Sequence, residues 1–241
     1  MSARIQNLKR YRHQTAFTLV ELLVVMAITG MLATLSVGAI RLAMQKGQSI
    51  RCASNLRQWG LALALYMGDN NGEIPRRGQG VQPLAIINRP EDWFNCLPPY
   101  LGSPAFCELA ANGQVPRPGM TTSIFIDLVA KDSGSTYFLP YAMNMYLSPW
   151  IRPNPHRFSE IPSPEQLAFM ADAPGAYAST VPSQCGYSVQ ARHAGCANVV
   201  FLDGHVQSFT GEYLGCGTGE KELTDVRWQT LTAGINQGPV P

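Results

Sequence analysis

Glu21 is the only charged residue from Phe17 to Ile40, near the start of the apolar run Phe17-Thr18-Leu19-Val20-Glu21-Leu22-Leu23-Val24-Val25, which follows a basic segment ending at Ala16. A carboxylate in such a setting is costly, about 2.5–3.5 kcal/mol at a bilayer centre on insertion scales, and so points to a cationic partner. Cleavage between Ala16 and Phe17 would create an α-amino group four residues before Glu21, on the same chain or on a neighbouring copy. Leaving either charge unpaired in an apolar interior costs roughly 3–5 kcal/mol. A helix with a cation at its tip and an anion one turn along therefore packs against its own copies in one register, with Glu21 as the register device.

A second set of chemically capable side chains lies near the other end: His193, Asp203 and His205, with Asp172 upstream. Histidines and carboxylates can make a metal or acid–base site. No nucleophile motif or glycine-rich phosphate loop accompanies them, however, and His205 directly follows a turn signal. The structural reading of 198–210 is a β-hairpin, with strands 198–202 and 205–209 about Asp203-Gly204, both turn residues at positive φ and Phe201 facing Val206. Asp69, Asn71 and Glu73 have some look of a calcium loop, yet the twelve-residue ligand pattern is absent, and Asn70-Asn71-Gly72 with Pro75 reads as a solvated helix stop. Calcium is the only cofactor this leaves open, and none is required. The six cysteines, Cys52, Cys96, Cys107, Cys185, Cys196 and Cys216, contain no Cys-x-x-Cys and no zinc spacing with the histidines. An even number outside the cytoplasm reads as structural disulfides of undetermined connectivity.

These residues need elements to hold them. The segment 17–40 is long enough to cross the ~30 Å hydrocarbon core as a helix. Helical character continues through 41–67, with no proline until Pro75 and with Ala53, Leu56, Gly60, Leu63 and Met67 recurring on one face. The whole element is ~75 Å long at 1.5 Å per residue. Gly30, Gly38 and Gly47 soften it, and Gly38 marks a point where the helix is expected to melt on assembly. Arg4, Lys9, Arg10 and Arg12 keep the leader, 1–16, on the cytoplasmic side. Without those four, 14 Lys and Arg remain against 16 Asp and Glu, so the chain's net charge of +2 becomes −2. The basic balance is thus a property of the leader and gives no argument for nucleic acid. From 68 to 241, Pro and Gly recur at short intervals between strand candidates at 122–129, 135–139, 166–171 and 199–209, which describes a small antiparallel sheet with long loops.

The Phe17-Thr18-Leu19-Val20-Glu21 block after a basic leader resembles the processing site of type IV prepilins and type II secretion pseudopilins. That resemblance implies a prepilin peptidase that cuts after Ala16 and N-methylates Phe17, with Glu21 as the assembly carboxylate. Ala16 stands where the family usually has Gly, which implies slower cleavage. Further along, Cys52-x-x-Asn55-Leu56-x-Gln58, Asp69-Asn70-x-Gly72-x-x-Pro75, Tyr141-x-x-Asn144, the segment ending at Asp172, and His193-x9-Asp203-Gly204 resemble prepilin-like proteins of the Planctomycetes and Verrucomicrobia type, which carry a His-x9-Asp-Gly signature. Its Asp203 and Gly204 are read as turn formers and His193 as part of the same structural motif.

The resemblance implies an α+β, pilin-like fold: a long N-terminal helix, half membrane span and half domain spine, packed on a small antiparallel sheet with long loops. It further implies a filament subunit of a type IV pilus or secretion pseudopilus, not an enzyme. Its partners would be the peptidase/methyltransferase, other subunits and an assembly platform. The chain would be single-pass in the inner membrane, N-terminus cytoplasmic and body periplasmic or extracellular. Two alternatives compete: a membrane-anchored or filament-tip binding protein, an adhesin through a loop tip at Trp150 or an ion binder, and a tethered enzyme. A secretory signal peptide cut near Val37-Gly38-Ala39 fits less well, because its apolar run would be too long and would contain Glu21.

Overall fold

The computed structural model describes residues 17–79, 82–120, 123–147 and 157–229. Ala16 and Trp150 lie outside them. The chain divides into two units, one up to Met44 and one from Gln45 onward.

Helix α1 (Leu19–Asp69) begins with a capping box. The Thr18 amide and hydroxyl donate to Glu21 Oε2 at 2.9 and 2.8 Å, and the Glu21 amide donates to the Thr18 hydroxyl at 3.3 Å. Reciprocal bonds of this kind satisfy amides that the first helical turn leaves without partners. Up to Met44 the described side chains are exposed and almost all apolar. The hydroxyls of Thr29, Thr34 and Ser36 bond back to carbonyls of Val25, Met31 and Leu32 at 2.7–2.8 Å, so their polar atoms need no external partner. By length and composition this stretch can cross a membrane. The helix is continuous through Gly38 in the single chain. It stops where the sequence predicts, at Asn71 (φ 54°) and Gly72 (φ 77°), with the Gly72 amide bonded to Met67 O at 2.8 Å.

In the body, α1 buries Cys52, Leu56, Trp59, Gly60, Ala62 and Leu63. Short helices α2 (Trp93–Cys96) and α3 (Phe106–Ala111) join it around an aromatic cluster, where Trp59 meets Trp93 edge-on at 5.2 Å and Phe125 at the same separation. The sheet contains β1 (Leu139–Asn144), β2 (Ala168–Gly175), β3 (Ser179–Thr180), β4 (Cys196–Phe201) and β5 (Val206–Thr210), in the order β3-β1-β2-β4-β5. All neighbours are antiparallel except β1 and β3. Side chains alternate between its faces. Tyr141, Met143, Met170 and Val200 join the core under α1, whereas Ala171, Val199, Phe201 and Phe209 pack on the other face with Trp228 and Leu214, the last on α4 (Gly211–Leu214). The α+β architecture and long helix match the sequence expectation.

Several local expectations need correction. Residues 123–130 form turns instead of a strand: Ile126 N bonds to Ser123 O, Ala130 N to Asp127 O, and the Asp127 carboxylate accepts the Val129 amide at 2.9 Å. That side-chain bond competes with strand pairing and closes the turn locally. The candidate at 135–139 is displaced, with the strand beginning at Leu139. In the β4–β5 hairpin Val206 faces Val200 instead of Phe201. The loop is Leu202-Asp203-Gly204, closed by Gly204 N to Phe201 O and Phe201 N to His205 O, both 2.9 Å. Only Gly204 has positive φ, 87°. A turn followed by one left-handed residue is the three-residue hairpin solution, and it shifts the register by one relative to a two-residue loop.

Candidate functional site

Four separated elements place Cys52, Asp127, Asp172 and His193 together, with one ligating atom of each within 4.8 Å of the others, and all four residues are buried. Cys52 comes from α1, Asp127 from the turn segment, Asp172 from the middle of β2, and His193 from the approach to β4, where it forms a bridge with Cys196. Asp172 ties three of these elements. Its Oδ1 accepts the Cys52 thiol at 3.0 Å, and its Oδ2 accepts the Asn198 amide of β4 at 2.8 Å. Arg192 reaches over the cluster with Nε 3.0 Å from Asp127 Oδ2, while its terminal nitrogen donates to Pro140 O and Ala173 O at 2.7 and 2.6 Å. His193 Nε2 lies 3.4 Å from Asp127 Oδ2 and 3.5 Å from Asp172 Oδ2.

Burial raises the Asp172 pKa and drives the Cys52 thiol far above its ordinary value, so the thiol stays protonated in this arrangement. Burial also pushes Asp127 upward, but the adjoining imidazole and the Arg192 charge outweigh it and leave that carboxylate below its usual range. For His193 burial favours the neutral ring, and the two carboxylates outweigh burial and raise its pKa. Charge separation of this kind stabilises a buried network only while every member is present.

Neighbouring side chains extend the cluster. Asn55 Nδ2 donates to Ile126 O at 2.8 Å and lies 3.4 Å from Tyr141 Oη, and Trp59 Nε1 donates to Ile124 O at 3.2 Å. Farther along β1, Asn144 Nδ2 bonds Ala168 O and Trp228 O at 2.8 and 2.7 Å. Thus Cys52, Asn55, Tyr141, Asp172 and His193 fix α1 and the turn segment to the sheet, while Asn144 ties β1 to β2 and to the Trp228 segment.

The Asp203-Gly204 end of the signature lies elsewhere. A Cβ placed on Gly60 would stand 2.9 Å from Gly204 Cα and 3.0 Å from Val200 Cγ2, so the helix rests directly on the hairpin turn. From Cys52 to Gly60 the helix advances about 12 Å. The His-x9-Asp-Gly stretch therefore spans β4 between two seats for α1, a polar one at His193 and a close backbone contact at Gly204. Asp203 and His205 pair with each other at 2.6 Å in the exposed turn, and the His205 ring stacks on Phe201 at 4.2 Å. The grouping of His193, Asp172, Asp203 and His205 suggested by sequence is corrected accordingly: His193 and Asp172 meet, and the other two form a separate surface pair.

Each cysteine is a free thiol, contrary to the expected disulfides. Cys52 is committed to the polar cluster, and burial raises Cys96 to about 12 and Cys216 to about 11, so these are inert thiols at neutral pH. Asp69 accepts the Tyr100 hydroxyl at 3.1 Å and Glu73 faces Arg157 at 3.5 Å, so the acids of the calcium-like stretch have local protein partners. Trp59, Trp93 and Trp228 are core residues. Cys52, read as a disulfide cysteine, Asp127 and Arg192 are the cluster members that sequence reasoning did not place there. An acid embedded in Ile124-Phe125-Ile126-Asp127-Leu128 was the available signal.

Residues 11–37 match the family model of the prokaryotic N-terminal methylation motif. No curated protein and no solved structure matches the chain. The motif covers Ala16, Phe17 and Glu21 and supports a processed, prepilin-type protein, and among the described residues one helix, near the N-terminus, is long and apolar enough to serve as its anchor.

Proposed function

We propose that the chain is a structural subunit of a type IV pilus-like or type II secretion pseudopilus filament, cut between Ala16 and Phe17, N-methylated at Phe17 and assembled through α1. The observation that carries this reading is the methylation motif at 11–37 heading an apolar helix whose only charge through Ile40 is Glu21. In the single subunit Glu21 bonds to Thr18. On assembly the carboxylate turns to the α-amine of a neighbouring Phe17, and each subunit thereby sets the register of the next. Prepilin peptidase, like subunits and an assembly platform are the partners. The body then lies outside the cytoplasm and the leader inside, in line with the leader's positive charge.

A structural role fits the body as well. The Cys52–Asp127–Asp172–His193 cluster is sealed between helix and sheet, which leaves no approach for an external substrate. The test is Glu21→Gln in cells with an active peptidase. Loss of the subunit from sheared filaments, with processing and membrane insertion retained, supports the proposal. Normal incorporation of Glu21→Gln rejects the register role, and a chain that never enters filaments leaves an anchored binding protein as the better account.

A further inference from the structure

We propose that Cys52, Asp127, Asp172 and His193 form a four-coordinate site for a zinc-type divalent cation, which clamps the body's half of α1 to the sheet. The first argument is the spacing. His193 Nε2 stands 3.4 and 3.5 Å from the two aspartate Oδ2 atoms. Donors bound tetrahedrally at about 2.0–2.1 Å are separated by about 3.3–3.4 Å along each edge, and a sulfur donor at about 2.3 Å lengthens its edges somewhat. These two separations match nitrogen–oxygen edges and are long for direct hydrogen bonds, while the Cys52 thiol donates to Asp172 Oδ1 at 3.0 Å, a bond that metal binding would replace.

Unmet bonding is the second argument. Both imidazole nitrogens of His193 are buried without a hydrogen-bond partner, whereas Asp127 Oδ2 and Arg192 Nε beside them face each other as an ion pair at 3.0 Å. Native interiors almost always satisfy such atoms, and a buried imidazole with neither nitrogen bonded marks a missing participant. The His193 side chain is 0% exposed and that of Asp127 1%. Neither has solvent to turn to.

Chemistry and charge agree. One thiolate, one imidazole and two carboxylates form a borderline donor set suited to zinc and unlike the all-oxygen shell of calcium. A Cys52 thiolate and the two carboxylates carry three negative charges, which a dication and Arg192 together cancel. Outer bonds are in place too, since Asp172 accepts from the Asn198 amide and Asp127 from the Val129 amide, orienting both carboxylates as ligands require. Binding releases the thiol proton to solvent, so uptake weakens as pH falls.

The experiment uses the full chain, purified from membranes in detergent, stripped with chelator and titrated at pH 7.5 with Zn2+ or with Co2+ as the spectroscopic probe. The expected result is one equivalent per chain and a Co2+ spectrum with tetrahedral ligand-field bands and a sulfur-to-metal charge-transfer band. Cys52→Ser removes that band, and His193→Gln weakens affinity at least about 10-fold. X-ray absorption on the zinc-loaded wild type, expected to show one sulfur and three nitrogen or oxygen neighbours, decides the matter even if either variant fails to fold. A folded wild type that takes up no stoichiometric metal, a sulfur band that persists in Cys52→Ser, or a shell without sulfur overturns the proposal. The cluster is then a metal-free charge network.

Discussion

The contact between Gly60 and Gly204 offers the sharpest test of how α1 sits on the body. Gly60→Ala places a methyl carbon 2.9 Å from Gly204 Cα, 3.0 Å from Val200 Cγ2 and 3.2 Å from Gly204 O. Carbon atoms prefer about 3.5–4.0 Å, so the helix must lift from the turn by over half an ångström or the hairpin must yield. Overpacking of this kind costs about 1–3 kcal/mol. Opposing it, alanine improves on glycine in a helix by about 0.8–1 kcal/mol. The net expectation is a loss of up to about 2 kcal/mol, which for a body of this size lowers Tm by up to about 8 °C. Gly47→Ala is the internal control, because nothing lies within 4 Å of a Cβ at that helical position and only the propensity gain remains. Thermal unfolding of the three proteins in detergent, followed by near-UV circular dichroism, reads the difference. If Gly60→Ala were as stable as Gly47→Ala, the close seat of α1 on the hairpin would be wrong.

Other perturbations have equally definite outcomes. Asp92 is buried, neither of its carboxylate oxygens has a partner, and burial raises its pKa from 3.8 to about 6. The folded state thus holds the proton more tightly than the unfolded state, so stability falls as pH rises from about 4 to about 6 and stays lower above that. Asp92→Asn should remove this dependence and stabilise the body by up to about 3 kcal/mol at pH 7, with no gain below pH 4, as denaturant titrations at both pH values would reveal. Asp172→Ala strips partners from Cys52, Asn198 and His193 together, and a loss of about 3–5 kcal/mol is expected; a chevron midpoint within error of wild type would contradict the staple role. Thr18→Ala removes the capping box and about 1 kcal/mol of helix-end stability, so amides near the start of α1 should exchange about fivefold faster in micelles.

Much of this architecture was legible in the chain because it is written in local patterns. The apolar run with Glu21, the heptad-like spacing of Leu56, Gly60 and Leu63, and the Asn71-Gly72 stop each determine structure within a few residues of themselves. The hairpin was legible as well, but its register was not, since a two-residue and a three-residue loop share the Asp-Gly signal and differ in where the first strand ends and which residues take positive φ. The polar cluster was hidden for another reason. Its members come from four elements that only the tertiary fold brings together, and Cys52 carries the same letter as five cysteines that have no part in it. Asp127 lay in an apolar run that looked like a strand, and nothing local revealed that its carboxylate would close a turn and face His193. Sequence spacing detects metal-ligand sets held on one loop or helix, and cannot detect one assembled across a domain.

The N-terminus of the mature chain tests the central claim most directly. Intact mass and N-terminal peptide mapping on protein taken from membranes of cells with an active prepilin peptidase should find a chain that starts at N-methylated Phe17. A chain still carrying Met1 would mean a simple anchor, and one starting at Ile40 a secreted domain; either result would contradict the filament-subunit account.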